Sequence, residues 1–290
     1  MSVLRMHIAG RAWAVVALVV VMACCIRSAH ADLATLEAAQ AAYDRGIEQI
    51  STKPAEARAA FAESAALLQQ LVDGGADASD MHYNLGNAYV QAGDLGRGIA
   101  SYLRARQITP FAPHVLANLA SARTDAGLAG SAGGGVGVGA ISDGSQYAWW
   151  RLLPESTRQI TAIVAWIVAW SLVALAILRP SKEGTTGNAR SLPLRALRTI
   201  AFVLAILAGL SVATDRWLAA TRPLAVIVER DVVLRKGNGE GFAPQVAEKL
   251  TPGVECLILE ARPDWLRVRL GDGTEGWVRD TTLVRVARSA

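Results

Sequence analysis

The hydrophobic pattern of the chain changes period twice. From Asp32 to Gly127, apolar residues recur three and four apart, most regularly in Leu33–Ile50 and Ala55–Val72. That spacing predicts amphipathic helices. The period is then lost in two long apolar runs. Ile160–Leu178 holds 19 residues without a charge, and a second run covers roughly Leu194–Thr214, uninterrupted only over Thr199–Thr214. At ~1.5 Å per residue, the first run matches the thickness of a bilayer core. From Leu224 to Val286 the pattern shortens to two. Strands are expected at Ala225–Val228, Val232–Leu234, Val254–Leu259, Trp265–Leu270 and Gly276–Val278.

Turn and cap residues fit this division. Pro54 suits the first turn of a helix and Gly74-Gly75 a stop. Gly93-Asp94 reads as a tight turn between helices, and Asp272-Gly273 as a hairpin turn. Gly133-Gly134-Gly135 and Val136–Gly139 mark a flexible linker. A phosphate-loop reading of that linker fails, because no strand precedes it and no Lys-Ser/Thr follows. Gly237–Gly241 is equally a loop, lacking a following helix at dinucleotide spacing. The expected domains are a leader at 1–31, a helical domain at 32–126, a linker at 127–147, a membrane hairpin at 148–220 and a β module at 221–290.

The leader combines Arg5 and Arg11, an apolar run at Ala12–Ala23 and Ala29-His30-Ala31 before Asp32, as a cleaved signal peptide does. Retention as an anchor and lipidation at Cys24 are the alternatives. Hydrophobic residues make up 52% and charged residues 19% of the chain, fitting apolar spans. The net charge of +4 does not imply nucleic-acid binding, because it lies in the leader and around the spans. Residues 32–126 carry 7 basic and 11 acidic residues, and residues 224–290 carry 10 of each. Between the spans, Arg179, Lys182, Arg190, Arg195 and Arg198 face only Glu183. The positive-inside bias places that loop in the cytoplasm, and both folded modules on the opposite side of a bacterial inner membrane, in the periplasm. Trp149-Trp150 suits the interface, and Trp166 and Trp170 share a face expected to meet the second helix.

Catalytic chemistry finds no foothold. No Cys/His set has zinc spacing, and nothing brings nucleophile, base and orienting group together. Cys256 among Val254, Leu257 and Ile258 reads as a buried hydrophobe. The protein is therefore expected to be non-enzymatic, without metal or cofactor.

Ser79–Ala112 resembles a tetratricopeptide (TPR) repeat. Asn84–Tyr89 (Asn-Leu-Gly-Asn-Ala-Tyr) matches the first helix, Gly93-Asp94 the turn, and Tyr102, Ala105 and Pro110 the second helix and its end. His82 and Gly98 depart from the pattern. Gly98 weakens its helix by roughly 1 kcal/mol. Asn118-Leu119-Ala120 echoes a further first helix, and Leu36–Val72 a degenerate upstream pair in which Phe61 takes the part of Tyr102. The TPR resemblance implies a solenoid whose concave side binds peptides through Tyr83, Asn84, Asn87, Gln91, His114 and Asn118. No Lys or Arg stands at those points, which disfavours a C-terminal carboxylate as ligand.

Pro252-Gly253, Asp264–Val268 and Gly273–Val278 resemble a bacterial SH3-like barrel, with Trp265 and Trp277 as core or groove residues. The order leader, TPR, membrane hairpin and SH3-like module resembles the BatE-type proteins of bacterial aerotolerance operons. That resemblance implies a multi-pass membrane scaffold in an envelope stress complex. It also implies von Willebrand A-domain membrane proteins and a MoxR-type AAA+ ATPase as partners. The alternative is an envelope sensor whose barrel binds peptidoglycan.

Overall fold

The computed structural model describes residues 32–128, 153, 155–178, 188–221 and 223–286. The expected leader with Cys24, most of the linker, Trp149-Trp150 and residues 179–187 of the loop between the spans lie outside these. The chain divides into two compact units between Asp94 and Leu95.

The first unit holds three helices: α1 (32–49), α2 (Pro54–Asp73) and α3 (Ser79–Ala92). Small residues set their closeness. Ala39, Ala65 and Ala88 are buried with Leu68, Leu71 and Leu85 in one cluster. Gly46 of α1 lies so close to Phe61 of α2 that an added Cβ would come within 2.6 Å of the ring. Phe61 also meets Tyr43 edge-on, with ring centroids 5.1 Å apart. The buried Ser64 hydroxyl is satisfied: it donates to the Ala39 carbonyl at 2.8 Å. Pro54 opens α2, as its fixed φ favours. Gly93 closes α3 at φ +89, and the Asp94 amide returns to the Tyr89 carbonyl.

The second unit begins with α4 (Leu95–Ile108) and α5 (Pro113–Asp125). Its sheet has five antiparallel strands: β1 (Leu224–Ile227), β2 (Glu255–Arg262), β3 (Trp265–Leu270), β4 (Glu275–Arg279) and β5 (Leu283–Arg285). Their order is β4-β3-β2-β1-β5, so the sheet is open and not a closed barrel. Two local expectations are corrected. Val232–Leu234 forms no strand. Asp231 at φ +59 turns the backbone just before it, and only isolated bridges follow, from Val232 to Leu250 and from Arg235 to Pro244 and Trp277. The short β5, unexpected from the sequence, instead pairs with β1.

Helix α4, with α5 packed beside it, lies on β1 and β5 of the sheet. All four residues of β1 are consequently buried. Two glycines permit the approach. A Cβ on Gly96 would stand 2.8 Å from the Ile227 carbonyl oxygen and the Val228 Cα. A Cβ on Gly253, at φ +97, would meet Ile99 at 2.7 Å and Leu128 at 3.0 Å. An ion pair crosses the same seam. Arg123 of α5 donates through Nε and Nη2 to Glu255 Oε1, the former at 2.8 Å. Glu255 is only 4% exposed.

Two further helices, α6 (Glu155–Leu178) and α7 (Asn188–Thr221), pack against each other. Both are long and apolar enough to cross a membrane, over Thr157–Leu175 and Ala196–Trp217. Trp166 and Trp170 meet edge-on, and both meet Phe202 of α7 at 5.8 and 6.0 Å, as their shared face suggests. The second apolar stretch extends further than the sequence pattern indicates and takes in Asp215. That carboxylate accepts from Arg158 of α6 at 2.7 Å, and Arg158 also reaches Ser211 at 3.3 Å.

Two outcomes test the seam. Gly96→Val is expected to destabilise the protein by roughly 1–3 kcal/mol, because the clash is with backbone. Chemical denaturation in detergent reads this directly. Arg123→Ala strands a buried carboxylate and is expected to cost about 3 kcal/mol, whereas Arg123→Met with Glu255→Leu recovers most of the loss. Equal losses in the single and double variants would contradict the assigned role of the pair.

Candidate functional site

The first unit carries a slot of about 180 Å³ between its three helices. Leu36, Ala39, Gln40 and Tyr43 of α1 form one wall. Ser64 and Leu68 of α2 lie at its base, and Asn84 and Asn87 of α3 form the other wall. Helical spacing creates it. Leu36, Gln40 and Tyr43 are three or four apart, so they share a face of α1; Asn84 and Asn87 share one of α3. The slot is therefore apolar at its base, where Leu68 and Ala39 are buried, and amide-lined at its rim. No Lys or Arg lines it.

Of the residues expected to face a partner, Asn84 and Asn87 meet in this slot. Tyr83 is half-buried and raises the pKa of Tyr43, adding to the larger effect of burial, as does Asp44. Gln91 is exposed in the last turn of α3. His114 and Asn118 belong to α5 of the second unit, the first exposed and the second half-buried. The α1 wall, Leu36, Gln40 and Tyr43, was not legible as part of a site. Its signal was the i, i+4, i+7 spacing on a helix whose repeat character is degenerate. His82, where the repeat usually has a large aromatic residue, is 6% exposed and its Nε2 lies 2.9 Å from Asp77 Oδ1, spanning the residue before the α3 N-cap.

In the sheet, both tryptophans occupy the face opposite the apolar core. Trp277 stands across from Arg267 and Trp265 across from Arg279, whereas Leu266, Val268 and Val278 point inward. Trp277 is only 8% exposed, and Trp265 is half-buried. Each is covered by an arginine. The Arg262 guanidinium lies 4.9 Å above the Trp277 ring, and that of Arg279 lies 5.7 Å above Trp265. Arg279 also pairs with Glu240, and Arg235 donates to the carbonyls of Glu240 and Phe242, so the Gly237–Gly241 loop is fastened to this face. Glu275 is held below its ordinary value first by the hydrogen bond from Arg269, which outweighs desolvation, and then by the charges of Arg269 and Arg267. This face is an aromatic–arginine lattice whose rings already have partners.

Cys256 is fully buried between β1 and β3. Burial, with the adjacent Glu255, pushes its thiol up to about 12. A raised thiol pKa means the neutral form persists through pH 9, so no thiolate is available. Among the described residues no group of three or more His, Cys, Asp or Glu is arranged for a metal. The folded protein is therefore expected to leave Cys256 unlabelled by maleimide at neutral pH, with labelling appearing on denaturation. Mass spectrometry of the labelled peptide checks this, and rapid native labelling would contradict the burial.

No protein-family model matches the chain, and no curated protein matches it.

Proposed function

We propose that the protein is a non-enzymatic, membrane-anchored scaffold. In this reading α1–α5 form a TPR-type solenoid, the C-terminal sheet is an SH3-like module, and α6–α7 are a transmembrane hairpin. The observation that carries the reading is the seam. The chain leaves α5, enters two apolar helices, and returns as strands that pack on α4 and α5. Strands in direct contact with α4 lie on the same side of the membrane as α4. An even number of crossings meets that requirement, and Arg179 and Lys182 between the two helices, with Arg190, Arg195 and Arg198 in the first turns of α7, support a periplasmic folded side. The hairpin then acts as an anchor. Its charges lie near the ends of the apolar stretches, with Arg158 and Asp215 paired, which supports anchoring rather than ion passage.

The slot supports protein recognition. Amides at the rim match peptide groups, and the apolar base matches one or two side chains. Partners of the kind suggested by the BatE resemblance are von Willebrand A-domain membrane proteins and a MoxR-type AAA+ ATPase. Peptidoglycan binding at the sheet would need an open aromatic platform, but Trp265 and Trp277 lie beneath arginines.

Removing Ser79–Ala126 would unroof β1, so point substitutions test the reading better. Tagged full-length protein, purified from mildly solubilised native membranes, is expected to carry von Willebrand A-domain proteins or the ATPase. Asn84→Ala is expected to reduce that recovery about fivefold, the loss of one hydrogen bond, with unchanged thermal stability. Recovery of only cell-wall synthases or glycopeptide would overturn it.

A further inference from the structure

The charge of the helical region is not evenly spread. Residues 32–94 carry 3 Lys/Arg against 10 Asp/Glu, a net charge of −7. Residues 95–126 carry 4 against 1, a net charge of +3. The acidic excess thus coincides with the unit that holds the slot. Within that unit the bases offer little compensation. Arg45 pairs with Glu63 at 2.8 Å and Lys53 with Glu56 at 2.9 Å.

Two of the acids stand one turn from residues that line the slot, Asp44 from Gln40 and Asp80 from Asn84. On α1, Asp32, Leu36, Gln40, Asp44 and Glu48 form one i, i+4 row, in which Leu36 and Gln40 line the slot. Asp44 accepts from Gln40 at 2.9 Å, so it is adjacent to the rim. On α3, Asp80 stands one turn before Asn84. Asp32, Asp44, Glu48 and Asp80 are all exposed. Amide groups hold a backbone without regard to charge, but a rim of carboxylates selects a cation. We propose that the slot binds an extended, Lys/Arg-bearing segment of a partner protein, its peptide groups on Asn84 and Asn87, one apolar side chain over Leu68, and its cations toward Asp44 and Asp80. This rests on the slot being the partner-binding site and adds the chemistry of the ligand.

The test uses the full-length protein in nanodiscs of phosphatidylcholine, which carries no net charge. Three fluorescein-labelled peptides of about ten residues share one Leu in a Ser/Gly background and differ only in four positions, Lys, Gln or Glu. Fluorescence anisotropy is expected to show saturable binding of the Lys peptide alone. Its Kd is expected to rise about tenfold between roughly 50 and 300 mM salt. Asp44→Asn with Asp80→Asn is expected to weaken binding about fivefold and to flatten the salt response, and Asn84→Ala to weaken binding without flattening it. Absence of Lys-peptide binding, equal binding of the Gln peptide, or indifference to the Asp44/Asp80 substitutions overturns the proposal. The scaffold reading has a separate readout. Partner capture from membranes that depends on Asn84 but not on Asp44 and Asp80 retains the scaffold and rejects the cationic ligand, whereas loss of all capture rejects the scaffold itself.

Discussion

The packing of α4 against β1 is the constraint on which the second unit depends. Neither surface is complete without the other. β1 is buried on all four residues, so it has no solvent face, and its Leu-Ala-Val-Ile sequence does not alternate. The helices meet it at glycine, where backbone can approach backbone, and α4 presents its glycines, alanines and Ile99 inward. Close packing of this kind is intolerant of added volume. Across the seam lies a buried carboxylate held by one guanidinium, and its Oε2 has no hydrogen-bond partner among the described residues. Such a pair contributes little net stability but strongly penalises separation of its members. It therefore fixes where α5 sits on the sheet more than how tightly.

That constraint gives the apolar helices their meaning. Two helices long and apolar enough to cross a membrane lie in the chain between α5 and β1, the segments on either side of that packing. The Arg158–Asp215 pair and the Trp166–Trp170–Phe202 contacts join the two helices near one end and along their length. In a medium without water, an arginine next to an aspartate is far cheaper than either alone. The two apolar helices thereby hold to each other through contacts of their own.

Much of the fold was legible because it depends on local signals. Pro54, Gly74 and Gly93 fall where the helices start and stop, and period two picked out β2, β3 and β4. The failures had tertiary causes. Val232–Leu234 has a strand's composition, but Asp231 in the left-handed region redirects it. β5 is three residues long and is defined by its pairing with β1, which no local pattern reports. Gly96 sat unnoticed in a helix whose only flagged glycine was Gly98, because the reason for it lies more than a hundred residues away, in Ile227. The run from Leu224 to Val228 did carry a signal: continuous apolar character marks burial on both faces. Of the site, Asn84 and Asn87 could be read from the repeat, whereas the α1 wall could not, since α1 lacks the repeat's signature residues.

The two candidate surfaces differ in charge and in what covers their rings. On the sheet, rings face guanidiniums and guanidiniums face carboxylates: Arg267 and Arg269 with Glu275, Arg262 with Glu260, Arg279 with Glu240. A ligand there would have to break contacts before making any. In the slot, Leu68, Ala39 and Ser64 lie buried beneath amide-bearing helices in a unit with a large acidic excess. A cationic segment entering it relieves like-charge repulsion as well as making contacts, so binding gains from two sources.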